Sequence, residues 1–380
     1  MYLQSLYLKN FRNYTDQWVE FNAPKTILVG QNAQGKSNLL EAIELLATLK
    51  SHRTSRDRDL IQGGQETGLI KARLERNYVE QELALTLRQS GRKNLSLNQE
   101  NVRRQFDFLG VINAVQFSCL DLDIVRGAPE VRRHWLDTLL IQLEPIYSHI
   151  LTQYQHILKQ RNALLKKLRQ QQEESQPLNT FDLEQLPLWD QQLAEMGSRV
   201  SRRRARVLTR LAPLAQVWHQ QISGQTEFLA IAYEPNIVWP EDDPQSVQQA
   251  FLAKIEQRRI AEQQLGASVV GPHRDEIALS INQTPAKSYG SQGQQRTLVL
   301  ALKLAELSLI EEVVGEPPLL LLDDVLAELD LQRQNQLLAV IQDRFQTLIT
   351  TTHLQGFDDQ WRKASQILTV QGGQICDNLG

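Results

Sequence analysis

The sequence predicts an α/β fold: a mixed β-sheet around a P-loop helix, with an inserted, mainly helical second lobe. Three observations carry this. A strand, a glycine loop and a helix follow one another in 25-KTILVGQNAQGKSNLLEAIELLATL-49. β-prone segments occupy both the first 117 residues and the stretch from about 264 onward. Between them, from about 130 to 222, the pattern is helical and rich in Gln and Arg. One α/β domain with a helical insertion accounts for this better than three domains in a row. The expected division is 1–115 for the first part of the α/β lobe, 116–263 for the helical lobe and 264–380 for the rest.

In order along the chain, 2-YLQSLYLKNFRNYTDQWVEF-21 mixes β-prone residues with short polar gaps and predicts two strands. The helix after the glycine loop shows apolar residues at Leu39, Leu40, Ile43, Leu46 and Leu49, close to a 3.6 period. Short β-like pieces recur in 69-LIKARLE-75 and 82-ELALTLR-88. The helical stretch is punctuated by Pro177 and Pro187, and 170-QQQEESQPLNT-180 reads as an exposed linker or helix tip. No heptad pattern is sustained long enough for an extended coiled coil. The strand signal returns in 267-ASVVGPHRDEIALSIN-282, followed by a helix at about 292–312. Then come the strand 319-LLLL-322, a helix near 331–343 and the strand 345-FQTLITT-351.

Composition bounds the function. A chain of 380 residues, 41% hydrophobic and 22% charged, is an ordinary globular protein long enough for a large core. No segment reaches the roughly 18 uninterrupted apolar residues of a membrane helix, and the N-terminal stretch lacks a signal-peptide pattern, so a cytoplasmic location and no membrane partner are expected. Cys119 and Cys376 form no metal or disulfide framework. A net charge of −3 argues against an overall basic nucleic-acid binder, though not against local basic patches.

The segment 30-GQNAQGKS-37 matches G-x-x-x-x-G-K-S/T. Gly30 and Gly35 permit backbone geometries that turn successive N–H groups inward onto phosphate oxygens. The N-terminus of the following helix adds positive dipole charge. Lys36 is suited to reach the β- and γ-phosphates and Ser37 to offer a hydroxyl to Mg²⁺. The loop from Gly30 through Gln31, Asn32, Ala33, Gln34, Gly35, Lys36 and Ser37 to Asn38 is therefore the expected ATP-binding set. In 318-PLLLLDDVLAELD-330, two carboxylates end a strongly apolar strand. Burying them is costly unless a cation compensates, and nucleotide brings one. Asp323 is expected to hold Mg²⁺ together with Ser37, and Asp324 to orient or deprotonate the attacking water. A helix-capping role would account for one of the two aspartates.

With 290-GSQGQQR-296 these motifs resemble the signature of the ATP-binding-cassette ATPases, at Ser291, Gly293 and Gln294. The stretches 8-LKNFRNY-14, 40-LEAI-43, 51-SHRT-54, 121-DLDIVRGAPEVRRHWLD-137, 160-QRNALL-165, 189-WDQQLAEMG-197, 271-GPHRDE-276 and 324-DVLAELD-330 narrow the likeness. They resemble, in order and across nearly the whole chain, the RecF family of recombination mediators, itself SMC-like. The resemblance implies an ABC-type ATPase head in which ATP drives two copies together around two nucleotides. It implies a weak ATPase acting as a switch, engaged on gapped or single-strand/duplex junction DNA. It implies RecR and RecO as partners and RecA loading as the outcome. It also places Gln116 at the Q-loop position, Asp330 in a D-loop at the dimer seam and His353 at the switch position near the γ-phosphate. Ser291 would then bind nucleotide held by the partner copy.

Two departures stand out. Ser118-Cys119-Leu120 replaces the Pro-Glu pair common after this position, and Asp324 stands where many cassette ATPases carry Glu. Three Arg clusters are candidates for phosphate contact: Arg53, Arg56 and Arg58; Arg126, Arg132 and Arg133; and Arg202, Arg203, Arg204 and Arg206. Two other readings remain open. A structural or nuclease-associated SMC-type ATPase would carry a long coiled coil. A transporter subunit would lack the 121–137 and 271–276 stretches.

Overall fold

The computed structural model describes residues 1–174, 180–341, 344–357 and 359–377. The part of the expected linker at 175–179, with Pro177, lies outside the described residues. The strands run in chain order as β1 Tyr2–Phe11, β2 Tyr14–Glu20, β3 Lys25–Val29, β4 Thr67–Arg76, β5 Val79–Arg88, β6 Asn94–Leu97, β7 Glu100–Val102, β8 Ala114–Phe117, β9 Leu229–Glu234, β10 Glu276–Ile281, β11 Thr284–Pro285, β12 Leu319–Asp323, β13 Thr347–Thr351, β14 Gln366–Gln371 and β15 Gln374–Asp377.

Two compact units share the chain. The first comprises 1–122, 214–227 and 291–380, the second 123–213 and 228–290. These limits differ from the expected 116–263. Residues 264–290 fold with the second unit because β10 pairs with β9 along its whole length. Residues 214–227 fold with the first unit, where Trp218 donates to the Ser308 hydroxyl at 3.2 Å.

The first unit holds two six-stranded sheets. One is antiparallel, in the order β2-β1-β4-β5-β6-β7. The other runs β15-β14-β3-β13-β12-β8 and is parallel except at β15. Parallel strands covered on both faces read as unbroken apolar runs, and all four leucines of β12, Leu319 to Leu322, are fully buried. Each such burial stabilises by about 1.5–3 kcal/mol. The helix Lys36–Thr48 buries Leu39, Leu40, Ile43 and Leu46 completely, the positions its periodicity singles out. In a sheet of this topology the loops that can meet a ligand lie at the carboxyl ends of the strands. The loops after β3, β8, β12 and β13 all open there. Neither β9, β14 nor β15 is marked by the sequence pattern.

The second unit packs the helices Pro129–Leu143, Ile146–Glu173, Thr180–Ile222 (as far as Pro213) and Pro244–Leu265 with a three-stranded sheet, β11-β10-β9. Pro187 does not break the chain, as the sequence led one to expect; it lies inside the helix Thr180–Ile222. Packing outweighs the lost hydrogen bond. Leu186 beside it is buried among Leu164, Leu165 and Leu168, with Trp189 against the cluster. Among the described residues no helix is long and apolar enough to cross a membrane.

Candidate functional site

β3 delivers the chain into the glycine loop, and the loop is pinned from both sides. A Cβ on Gly30 would lie 2.3 Å from the Val370 carbonyl oxygen, so no side chain fits there. Gly35 has φ +118, and a Cβ there would also meet the Asn13 amide at 2.7 Å. Asn13 donates through Nδ2 to the Gln34 carbonyl at 2.9 Å and accepts from Asn38 Nδ2 at 2.8 Å. Tyr14 donates its hydroxyl to the Gly35 carbonyl at 2.9 Å. From the other end of the chain, the Gly372 N–H donates to Gln34 Oε1 at 2.7 Å and the Gly373 N–H to the Gln34 carbonyl at 3.0 Å. Gln31, Asn32 and Ala33 remain exposed at the loop's tip, with Ala33 at φ +65. Lys36 is buried and its ammonium donates to the Gly30 and Gln31 carbonyls at 2.7 and 3.0 Å.

The carboxylate pair meets this loop across β13, which lies between β3 and β12. Ser37 Oγ donates to Asp323 Oδ1 at 2.7 Å. Thr350, opposite Asp323 in register, donates its hydroxyl to the same oxygen at 2.8 Å and accepts from the Asp324 N–H at 2.9 Å. Asp324 sits at φ +53, which turns the chain sharply after the strand. It precedes the short 3₁₀ helix Val325–Glu328, yet its side chain makes no capping hydrogen bond. The capping explanation therefore fails for Asp324. Partial burial raises its carboxyl pKa, with Asp323 adding to the shift and Lys36 opposing it. Among the described residues no group of three or more His, Cys, Asp or Glu side chains could hold a metal ion. One hydroxyl and one carboxylate, Ser37 and Asp323, are an incomplete oxygen set, suited to Mg²⁺ that arrives with phosphate oxygens of its own.

Gln116 lies on β8, level with Leu321 of β12, so it faces the same carboxyl ends. Its Oε1 is buried and has no hydrogen-bond partner among the described residues. Its Nε2 lies 3.5 Å from His52 Nε2, while His52 Nδ1 is 2.6 Å from Glu44. The Ser-Cys-Leu departure after Phe117 has its own local order. The Ser118 N–H donates to Asp121 at 2.6 Å, and Asp121 pairs with Lys303 at 3.0 Å. His353, just past β13, is exposed and its ring makes no hydrogen bond among the described residues.

Ser291, Gly293, Gln294 and Asp330 form a second group whose hydrogen bonds do not reach the loop. Ser291 caps the helix Gln292–Val314 in a reciprocal box: Gln294 N–H donates to Ser291 Oγ at 3.2 Å, and Ser291 N–H to Gln294 Oε1 at 2.8 Å. Gln294 Nε2 donates to Glu227 at 2.9 Å. Asp330 pairs with Arg333, whose Nε donates to Thr297 at 2.9 Å on that same helix. Gly293 lies beneath this guanidinium; a Cβ there would be 3.5 Å from Arg333 Nη2. Ser291 is exposed, and half of the Asp330 side chain is accessible.

Sequence reasoning missed Thr350, Asn13 and the turn at Gly372–Gly373. Thr350 was findable, since its strand ends in two threonines, with a third just beyond it, beside the aspartates. The turn was not, because nothing local marks it. The arginine clusters also resolve. Arg132 is bidentate to Glu276 at 2.7 and 2.9 Å, and Arg133 donates to the Asp275 carbonyl at 2.6 Å. Arg204, 3% exposed, grips Asp137 at 2.8 and 2.9 Å and lies 3.3 Å from Asp275. Arg202 and Arg206 both pair with Asp242 at 2.6 Å, and Arg203 with Glu144 at 2.9 Å. Arg132, Arg133 and Arg204 are thus committed to buried contacts within the second unit, whereas Arg202, Arg203 and Arg206 carry partly exposed ion pairs. Arg161 is the centre of a similar buried knot with Asp190, Glu262 and Ser268 at 2.8, 2.5 and 2.7 Å.

Comparison with known proteins identifies the family and the fold. The model of the RecF/RecN/SMC N-terminal domain family matches residues 2–375. The DNA replication and repair protein RecF of Gloeothece citriformis is 70% identical over 99% of this chain and 100% of its own length. That of Synechocystis sp. is 68% identical over 99% and 98%. Among solved structures, the recombination mediator protein RecF-ATPrS in the RecFOR pathway superposes with TM-score 0.90 at 31% identity, covering 99% of this chain and 98% of its own. An Smc head domain from Pyrococcus furiosus, at TM-score 0.53 and 15% identity, shares the fold.

Proposed function

The chain belongs to the RecF family, and from that premise we propose that it is an ATP-dependent DNA-binding mediator of recombinational repair and replication. The carrying observation is the convergence of Lys36, Ser37, Asp323 and Asp324 at the carboxyl ends of adjacent parallel strands. In this reading the loop from Gly30 to Asn38 cradles the phosphates of ATP, and Lys36 exchanges its loop carbonyls for phosphate oxygens. Ser37 and Asp323 hold Mg²⁺, which supplies charge neutralisation of the phosphates. Asp324, uncommitted to any cap, accepts the proton of the attacking water at its carboxylate. Gln116 and His353 complete the surroundings of the reacting phosphate.

The exposed cap at Ser291 supports a site finished by a second copy. Its hydroxyl and the first N–H groups of a 23-residue helix suit a phosphate. Asp330, joined to the same helix through Arg333, would then lie at the seam. ATP-driven dimers would engage gapped or junction DNA and assist RecA loading with RecR and RecO. The alternative of a structural or nuclease-associated SMC-type ATPase lacks support in the sequence, which sustains no heptad pattern and holds no C-x-x-C.

Gel filtration with and without ATP, Mg²⁺ and gapped DNA tests the reading. ATP is expected to convert monomer to a dimer that retains DNA, and Lys36→Arg to block the conversion. A wild-type chain that stays monomeric in saturating ATP and Mg²⁺ overturns the sandwich mechanism.

A further inference from the structure

Arg132, Arg133, Arg161, Arg202, Arg203, Arg204 and Arg206 of the second unit each pair with a carboxylate. Among the described residues, most of those at one end of the antiparallel sheet of the first unit do not. β5 ends at Arg88, two residues past the Thr86–Asn94 pair, and the chain re-enters at Asn94 directly after Arg92 and Lys93. β7 ends at Val102, opposite Leu95, and runs straight into Arg103 and Arg104. Register therefore places Arg88, Arg92, Arg103 and Arg104 on one end of three adjacent strands, which are spaced about 4.8 Å apart. The loop after the P-loop helix is tied to the same end, because Lys93 donates to the Leu49 carbonyl at 2.7 Å and pairs with Asp57 at 3.2 Å. That tether brings Arg56 and Arg58 alongside. All six arginines are exposed. Among the described residues, Arg56, Arg88, Arg92 and Arg103 make no ion pair. Arg104 lies over the Phe106 ring, and Arg58 has only a loose 3.7 Å contact with Asp59.

We infer that this sheet end, formed by Arg56, Arg58, Arg88, Arg92, Arg103 and Arg104, is a docking surface for the phosphate backbone of duplex DNA. Concentrated, unpaired guanidiniums make a locally positive patch in a chain of net charge −3, and a polyanion is its complementary ligand. An acidic protein fits less well. Stable protein interfaces need an apolar centre, and the large exposed hydrophobics of this sheet, Trp18, Tyr78 and Val79, lie away from this end of β5–β7. Arginine without a groove-inserting helix recognises phosphates and not base sequence. Of the flanking carboxylates, Asp57 is held by Lys93, and Asp59 has only the loose contact with Arg58.

The inference rests on the reading of the chain as an ATP-dependent DNA binder, and one titration separates the two. Binding of the full chain with ATP and Mg²⁺ to a duplex of random sequence is measured across a salt series. The same series is run on the variant Arg88→Ala, Arg92→Ala, Arg103→Ala, Arg104→Ala and on the control Arg202→Ala, Arg206→Ala. Each lost phosphate contact lowers the slope of log K against log salt by about 0.9. The fourfold variant is expected to lose about 3.6 from that slope and ~10-fold or more in affinity at every sequence tested. The control keeps the wild-type slope, and both variants keep ATP-dependent self-association. A fourfold variant with wild-type slope and affinity overturns the surface. A wild-type chain that binds no duplex at all overturns the functional reading instead.

Discussion

Asp324 and His273 are both shifted by burial, and the consequences are opposite in kind. The Asp324 carboxyl is pushed up by burial and by Asp323, with Lys36 pulling down. If it accepts the proton of the attacking water, Asp324→Asn should abolish single-turnover hydrolysis. If the shorter side chain limits turnover, Asp324→Glu should raise the single-turnover rate; an unchanged or lower rate would show that reach is not the limit. His273 is lowered to about 4, chiefly by burial, while its Nδ1 meets the Tyr154 hydroxyl at 2.6 Å. The folded state thus binds this proton less readily than the unfolded chain does. Its stabilising contribution is complete above pH ~6.5 and falls away as pH drops toward 4. Between pH 7 and pH 5 the loss is about 2 kcal/mol. Denaturant unfolding of His273→Asn at both values should show a flatter pH dependence than wild type.

Among the elements, the helix Gln292–Val314 shows how one residue serves two ends. Ser291 closes a capping box, worth about 1 kcal/mol, and also presents its hydroxyl to solvent. Aspartate caps as well as serine but repels phosphate. Ser291→Asp should therefore leave the melting temperature nearly unchanged while abolishing ATP-dependent association, whereas a residue that only capped would leave both intact. The same elements mark what was legible in the sequence. The strand, loop and helix around Lys36 announce themselves because their signals are local: a glycine spacing, a 3.6 period and an unbroken leucine run. The role of Arg204 was not legible, since its partners Asp137 and Asp275 lie 67 and 71 positions away. A run of arginines on a helix looks the same whether it faces water or a buried carboxylate. β14 and β15 were missed for a related reason: their apolar residues acquire meaning only through pairing with β3.

At the scale of the whole molecule, both units combine apolar burial with buried ion pairs. In the first, the β12 leucines are fully buried, and the equally buried Glu41 pairs with Arg12 at 2.6 Å. In the second, several of the stretches that suggested a family supply the buried ion pairs: Arg161 in QRNALL, Asp190 in WDQQLAEMG, Asp275 in GPHRDE. Breaking one partner leaves an uncompensated charge, so Arg161→Met should cost about 3–5 kcal/mol in chemical denaturation. A loss below ~1 kcal/mol would show that the knot is dispensable. Asp324→Asn, able to bind but not to hydrolyse, should hold ATP-induced dimers far longer than wild type in gel filtration after dilution. One feature of the phosphate loop reaches beyond the finished structure. Gln34 is clamped by Gly372, 338 positions further along. At a synthesis rate of roughly 5–20 residues per second, the loop leaves the ribosome on the order of half a minute before its clamp is made. Every motif residue through Asp330 is therefore in place while the cradle is still unsupported. A polypeptide interrupted before β14 keeps the whole written signature of a nucleotide binder yet lacks the backbone that rigidifies its loop.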